Sequence, residues 1–480
     1  MQNDDSKRMN NVVYEREMSV GYSEQTHLIE QSAYKYSLQE RAEPNLYRPL
    51  FDYESVPKVS FNHRFVPVNM PDKIRITDTT FRDGQQAMNP FTVKQIVDLY
   101  KLLHKLGGEQ GIISQSEFFV YTEKDRQALE ECLALGYKFP EITTWIRASK
   151  KDFELVKSLG IRETGILVSC SDYHIYNKMG LTRKSALQKY LSVIGEVLEM
   201  GISPRCHFED ITRADFYGFV LPLAEAIEEL CESYGIPVKI RACDTMGYGV
   251  TYPGAALPRS VPGICYGLNH YGGFKSEYLE WHGHNDFYKA VNNSSTAWLY
   301  GCSAVNCALL GIGERCGNTP LEAMVMEYAS LRGTTDGMDL SVITEIADYF
   351  KNEIGYDIPP KTPFVGRDFN ITKAGIHADG LLKDEEIYNI FNTEKLLGRS
   401  PQVAIDAHSG AAGIAHWINH RYFEKNSEMH CDKHSPIVAK MKEIIDREYE
   451  DGRTTTMSDD ELTRIYAVAK DSIENNEAAE

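Results

Sequence analysis

From Lys73 onward the chain alternates two patterns. Short runs rich in Val, Ile and Thr are followed by longer stretches whose apolar residues recur every three or four positions. The first pattern marks strands covered on both faces, the second helices with one apolar stripe. Strands are expected near 73–81, 111–119, 140–148, 163–171, 203–211, 238–245, 278–284 and 304–312. Helices fall between them, as in "TVKQIVDLYKLLHKLG" (92–107), "EKDRQALEECLALG" (123–136), "TRKSALQKYLSVIGEVLEMG" (182–201) and "TPLEAMVMEYASLRG" (319–333). Several end in the glycine that stops a helix. Eight strand–helix units in about 260 residues predict an α/β fold, a (β/α)8 barrel. The alternative, an open doubly wound sheet, seldom holds eight such even units.

The flanks read differently. Residues 1–70 are polar and tyrosine-rich without a periodic apolar face, which predicts an arm packed on the main body or on a second subunit. The barrel spans 71–335, and 336–480 reads as mainly helical subdomains, for example "AAGIAHWINHRYF" and "SPIVAKMKEIIDREYE". After the sixth strand comes "GYGVTYPGAALPRSVPGICYGLNHYGG", long for a strand–helix connection and expected to be a lid or an interface on the catalytic face.

Composition narrows the class. The 480 residues carry a net charge of -18, which argues against a nucleic-acid or acidic-membrane binder. No run approaches the roughly 20 apolar residues of a membrane span. The ten cysteines form no CxxC pair, and the N-terminus has no secretory pattern, so a reducing cytoplasmic setting is expected.

In a (β/α)8 barrel the chemistry gathers at the C-terminal ends of the strands. Strand 1 ends in Arg82-Asp83. Strand 5 carries Arg205, His207 and Glu209 on one face, and strand 6 ends in Asp244-Thr245. Strand 7 holds His282 and His284, and strand 8 runs into "GIGERCGN" with Asn318. Two imidazoles at i, i+2 face the same way. Closing the barrel brings strand 1 near strand 7, so Asp83 joins them and Asn318 lies between. Two nitrogens and a carboxylate suit a divalent ion such as manganese, cobalt, zinc or iron. The plain alternatives are histidines that satisfy barrel hydrogen bonds and an Asp83 that caps the next helix.

The stretches "DTTFRDGQQ", "HGHND" and "GIGERCGN", in this order, resemble the signatures of the isopropylmalate synthase and homocitrate synthase family. "KAGIHADGLLKDEEIY" extends the likeness past residue 335. The resemblance implies an acyltransferase that condenses acetyl-CoA with a 2-oxo acid, using a divalent metal (manganese, cobalt, zinc or magnesium). It implies Asp83, His282 and His284 as metal ligands, with Asn318 completing or adjoining the sphere. Arg82 would stabilise negative charge developing on oxygen, Thr245 would bond the substrate carboxylate, and Gln86 would line the pocket. Glu209 would join in proton transfer. His377 and Tyr388 match a pair that in the family reaches the barrel mouth, often from the other subunit, which implies a homodimer with an exchanged C-terminal region.

The resemblance also bears on the substrate. Homocitrate synthases have arginine at the place of Arg205, where it pairs with the distal carboxylate of a dicarboxylic 2-oxo acid. A guanidinium fork suits a carboxylate, and left without an anion it would be costly. His207 stands where those enzymes carry serine, which shortens the pocket and favours oxaloacetate. Stretches such as "SCSDYHIYNKMGLTRK" and "PRCHFEDITRADFYGFV" are similar to the oxaloacetate-using subgroup of anaerobic bacteria. Homocitrate synthesis, isopropylmalate synthesis and acyl-CoA cleavage on the same barrel are the alternatives. Glu209 as a structural partner of Arg213, and His174 as a CoA contact or a packing residue, stay open at this point.

Overall fold

The computed structural model describes residues 20–23, 28–31, 35–146, 150–423 and 427–477. The chain divides into two compact units, Met1–Asp339 and Leu340–Glu480. Eight parallel strands close the first into a barrel: β3 (Arg75–Asp78), β4 (Ile113–Phe118), β5 (Glu141–Trp145), β6 (Glu163–Ser169), β7 (Ser203–Glu209), β8 (Lys239–Asp244), β9 (Leu279–Gly283) and β10 (Ala304–Cys307). β10 pairs with both β9 and β3, which closes the ring. A small antiparallel hairpin, β1 (Val20–Ser23) and β2 (Leu28–Gln31), precedes it.

Each strand lies inside its expected span. Two stop early for local reasons. After β3 the Asp78 carboxylate accepts the Thr80 amide at 3.0 Å, and the amides of Arg82 and Gly84 turn back to the Thr79 carbonyl. After β10 a 3-10 turn, Leu309–Gly311, begins, with Leu310 in the left-handed region.

Helices α1 (Val93–Gly107), α2 (Glu123–Ala134), α3 (Lys150–Ser158), α4 (Arg183–Glu199), α5 (Leu221–Tyr234), α6 (Val261–Tyr266), α7 (Ala290–Leu299) and α8 (Leu321–Arg332) surround the strands. Thr92, Thr122 and Thr182 open α1, α2 and α4 with reciprocal capping boxes, satisfying amides that no helical carbonyl reaches. α1 buries Ile96, Leu99, Leu103 and Leu106 at helical spacing.

The described stretch 35–70 of the arm packs on the barrel. Gln39 bonds the Gly218 carbonyl, Asn45 bonds Asp172 at 2.7 Å, and Asn62 and His63 bond the Gly254 carbonyl. The long 247–273 connection is ordered and contains α6, started by Ser260 and Pro262. Between it and the arm lies a cavity of about 250 Å³ whose walls include Tyr217, Tyr252, Tyr266 and Tyr271.

The second unit is helical, as expected: α9 (Val342–Tyr349), α10 (Gly375–Lys383), α11 (Thr393–Leu397), α12 (Ala411–Tyr422), α13 (Pro436–Glu450) and α14 (Asp459–Glu477). Ile405, Ile414, Ile418, Val438, Met441 and Leu462 form its core. A two-residue parallel pair, β11 (Ile371–Thr372) with β12 (Gln402–Val403), adds a strand contact that periodicity does not reveal. Among the described residues no helix is long and apolar enough to cross a membrane.

Candidate metal centre and active site

The turn after β3 delivers Asp83 beneath the end of β9. Its Oδ2 lies 3.5 Å from His282 Nε2 and 3.9 Å from His284 Nε2, and the two imidazole nitrogens are 3.2 Å apart. All three residues are buried, and among the described residues they are the one His, Cys, Asp and Glu group whose ligand atoms gather closely enough for a metal ion. Two further observations fit a cation. Asp83 Oδ2 and Asn318 Oδ1 are buried oxygens with no hydrogen-bond partner. Such lone pairs cost free energy unless something positive meets them. The Nδ1 of His282 donates to Asn306 Oδ1 at 2.8 Å, which leaves the Nε2 lone pair free for a metal.

Burial alone would raise the Asp83 carboxyl, but Arg82, His282 and His284 together hold it down at about 2. Burial, with His284 beside it, pushes His282 down to about 3, and burial lowers His284 as well. Both imidazoles are therefore neutral at physiological pH, the state in which nitrogen ligates. Asn318 pairs across the backbone with His284 and anchors its own amide on the Ile312 carbonyl at 2.9 Å.

Arg82 lies beside the trio. Its Nε donates to Glu117 Oε2 at 2.7 Å and its Nη1 to Asp83 Oδ1 at 3.3 Å. Burial opposes the guanidinium charge, yet Glu117 and Asp83 outweigh it and strengthen its hold on the proton. The Trp145 ring lies 5.8 Å from the Arg82 guanidinium, with its own Nε1–H buried and unpartnered.

Glu117 is the residue that sequence reasoning missed. It accepts from Arg82, from Arg205, from Arg241 at 3.2 Å and from Thr79 at 3.0 Å. Burial would protonate it, but Arg241, Arg82 and Arg205 hold its carboxyl well below the usual range. From Arg241 the chain of contacts runs at 2.8 Å to Glu280, then to Thr77, then at 2.9 Å to Asn306 and so to His282. The metal ligand and the arginine thus stand at the two ends of one hydrogen-bonded chain that draws on five strands. A lone glutamate in "ISQSEF" carries no signal of this, because its partners stand 35 to 124 residues away.

The other expected site residues are placed as follows. Arg205 is fully buried below the mouth and pairs with Glu117 and, at 2.6 Å, with Glu163. The His207 ring sits 3.4 Å from Glu117, and burial, with Arg241 nearby, depresses it well below the ordinary value. Gly165 lets β6 pass this close, since a Cβ there would come within 2.8 Å of both His207 Nε2 and Trp145 Cδ1. The Thr245 hydroxyl accepts the Asp210 amide at 2.8 Å, and its carbonyl is held by Arg315 at 2.6 Å. The side chain of Gln86 is exposed on the turn that follows Asp83. Glu209 accepts from Ser169, lies 3.1 Å from His174 Nδ1 and takes Lys178 at 3.3 Å. Arg213 turns instead to Asp210, at 2.9 Å. His377 and Tyr388 belong to the second unit, where their rings lie 4.5 Å apart between centroids.

Residues 73–350 match the HMGL-like family model. The chain is 54% identical to the citrate (Re)-synthase of Clostridium kluyveri, over 93% of this chain and 98% of that protein. It is also 54% identical to the citrate (Re)-synthase of Syntrophus aciditrophicus, over 89% of this chain and 68% of that protein. The 2-phosphinomethylmalate synthase of Streptomyces hygroscopicus is 35% identical over 90% of this chain and 98% of its own.

Proposed function

Since this chain belongs to the HMGL-like family, we propose that its barrel joins the methyl carbon of acetyl-CoA to the keto carbon of oxaloacetate and hydrolyses the thioester to citrate and CoA, the reaction implied by the name of its two 54% identical relatives. The observation that carries this reading is the convergence of Asp83, His282 and His284 beside Arg82. Those three side chains, with Asn318 adjoining, would hold a divalent ion, which supplies Lewis-acid polarisation of a carbonyl.

Charge supports a dicarboxylic acceptor. The ion network that fills the barrel joins Arg82, Arg205, Lys239 and Arg241 to Asp83, Glu117, Glu163 and Glu280, so its cations and anions cancel. A divalent ion leaves two uncompensated positive charges in a low-dielectric site. Oxaloacetate, with two carboxylates, neutralises them, and a monocarboxylic acid such as 2-oxoisovalerate neutralises half. The His207 ring beside Arg205 favours the shorter dicarboxylic acid.

Arg82 presents donors where the keto oxygen gains charge, an electrostatic role preorganised by Glu117. Thr245 and Gln86 are proposed to orient the acceptor, and Arg205 to exchange a glutamate partner for its distal carboxylate. His377 and Tyr388 are proposed to handle protons in the hydrolytic half, when water attacks the citryl thioester. A homodimer is proposed with them, and light scattering measures it. The deciding experiment incubates the purified protein and acetyl-CoA with oxaloacetate, 2-oxoglutarate or 2-oxoisovalerate and identifies the product. Citrate should form fastest. Homocitrate formed faster at equal concentrations refutes the assignment.

A further inference from the structure

The cavity between the arm and the 247–273 connection has no role in the metal centre. Its volume is about 250 Å³. Packed interiors leave few voids larger than a water molecule, so a gap of this size is more than a packing remainder. It also opens to solvent, since Arg64, Phe65 and Tyr252 in its lining are exposed.

The walls are flat and aromatic. The Tyr217 and Tyr271 rings lie 6.3 Å apart between centroids, and Tyr266 stands edge-on to Tyr271 at 5.7 Å. Ring faces of this kind stack on a planar heteroaromatic base. Asn62 uses its Oδ1 to accept the Arg64 amide at 3.0 Å, and its Nδ2 makes no hydrogen bond among the described residues.

Charge points to what such a base carries. The Arg64 guanidinium lies 5.3 Å from the Tyr271 ring centre, and its Nη1 donates to the Tyr217 hydroxyl at 3.0 Å. Its Nε and Nη2 make no hydrogen bond among the described residues, and no described carboxylate pairs with it. Lys289 donates to the Tyr252 hydroxyl at 2.9 Å and likewise has no described carboxylate partner. Asp215, the one carboxylate in the lining, is already taken by Arg183 at 2.9 Å. In a chain of net charge -18, two uncompensated cations beside one cavity attract an anion.

Size and position narrow the ligand. Pockets that enclose a whole drug-sized ligand measure roughly 300–1,000 Å³, so this one takes a base with its sugar and leaves an attached phosphate at the rim. The rim is tied to the catalytic end of the barrel. Lys289 and Asn292, which bond Tyr252 and Thr251, stand at the start of α7, just after the His284 strand.

The geometry points to an adenine nucleotide site, with the base against the Tyr217 and Tyr271 rings and the phosphate on Arg64. Two sources share this chemistry: the adenosine bisphosphate end of CoA, and a free adenine nucleotide acting as an effector. Binding needs no turnover, so its outcome is separate from that of the product assay above.

Calorimetry on the full-length protein compares adenosine bisphosphate, ADP, adenosine and inorganic phosphate, with and without saturating acetyl-CoA. At least one nucleotide should bind with a Kd below about 1 mM, and adenosine and phosphate should each bind at least about tenfold more weakly. Arg64→Gln, at an exposed position, should weaken the nucleotide roughly 10- to 100-fold, the scale of a hydrogen bond to a charged group, and leave adenosine unchanged. Tyr271→Leu should weaken nucleotide and adenosine alike, roughly 5- to 150-fold, as when a stacking ring is removed, with thermal unfolding as the check on its fold. Given the Arg64 effect, loss of adenosine bisphosphate binding in acetyl-CoA assigns the site to the nucleotide end of the cosubstrate. ADP binding that acetyl-CoA leaves unchanged assigns it to an effector. A protein that binds neither nucleotide below about 1 mM, or binds one with an affinity that Arg64→Gln does not alter, overturns the site.

Discussion

Glu117→Gln is the sharpest perturbation of the barrel. It is nearly isosteric and keeps an acceptor for Thr79, but it removes the one negative charge shared by Arg82, Arg205 and Arg241. Two unit charges 4 Å apart attract by about 4 kcal/mol at an effective dielectric near 20. Three such contacts give roughly 12 kcal/mol before desolvation and the mutual repulsion of the guanidiniums are subtracted. Measured losses on breaking a buried pair are about 3–5 kcal/mol, which we take as the expected destabilisation. Three of the four tryptophans, Trp145, Trp281 and Trp298, report the barrel unit, so a Trp417→Phe background isolates its denaturant transition by fluorescence. The pH dependence has a definite sign. An unfolded glutamate takes up its proton near pH 4.3, while the folded Glu117 stays ionised well below that. The stabilisation is therefore complete above about pH 4.3 and is lost as pH falls further, so the gap between wild type and variant should narrow there. Glu117→Asp, which keeps the charge, should fall between them. A Glu117→Gln protein within about 1 kcal/mol of wild type at pH 7, with unaltered kcat, refutes the shared-anion account.

Arg82→Ala should keep its metal, by elemental analysis, yet lose roughly 10²-fold or more in kcat, as when one oxyanion donor is removed. His282→Ala should bind no stoichiometric metal, and chelation of the wild type should abolish citrate formation with recovery on readdition. In the chelated protein, His282 protonates near 6.5 when unfolded but only near 3 when folded. Its stability should thus decline as pH falls from about 6.5 towards 3, a slope that His282→Asn reduces in denaturant titrations. Gly165→Ala should lower turnover and thermal stability together, because the added methyl group lands 2.8 Å from His207 and Trp145. Unchanged kinetics there would show that β6 can move.

What the sequence revealed follows from how local each signal is. Strands and helices repeat within a few residues, so all eight barrel strands could be located. His282-Gly-His284 and Arg82-Asp83 are dipeptide-scale patterns, and one assumption, closure of the barrel, brought them together. The contacts of Glu117, Glu163, Arg241 and Glu280 cross the barrel interior and are set by stagger, which no window of sequence records. Arg213 illustrates a subtler limit. The sequence offered Glu209 as its partner, whereas Asp210, in a left-handed backbone (φ 63), takes Arg213 instead. Glu209 is left to His174.

The hydrogen-bonded chain from His282 through Asn306, Thr77, Glu280, Arg241 and Glu117 to Arg82 starts and ends beside Asp83. Substitution at one member leaves a buried neighbour unsatisfied, so single steps away from the set are costly and compensating pairs must arise together. Drift in this lineage is therefore steered outward. Positions with no part in the chain, among them the exposed Gln86, can vary one at a time and retune the acceptor, while the frame that supports the reaction passes on as a block.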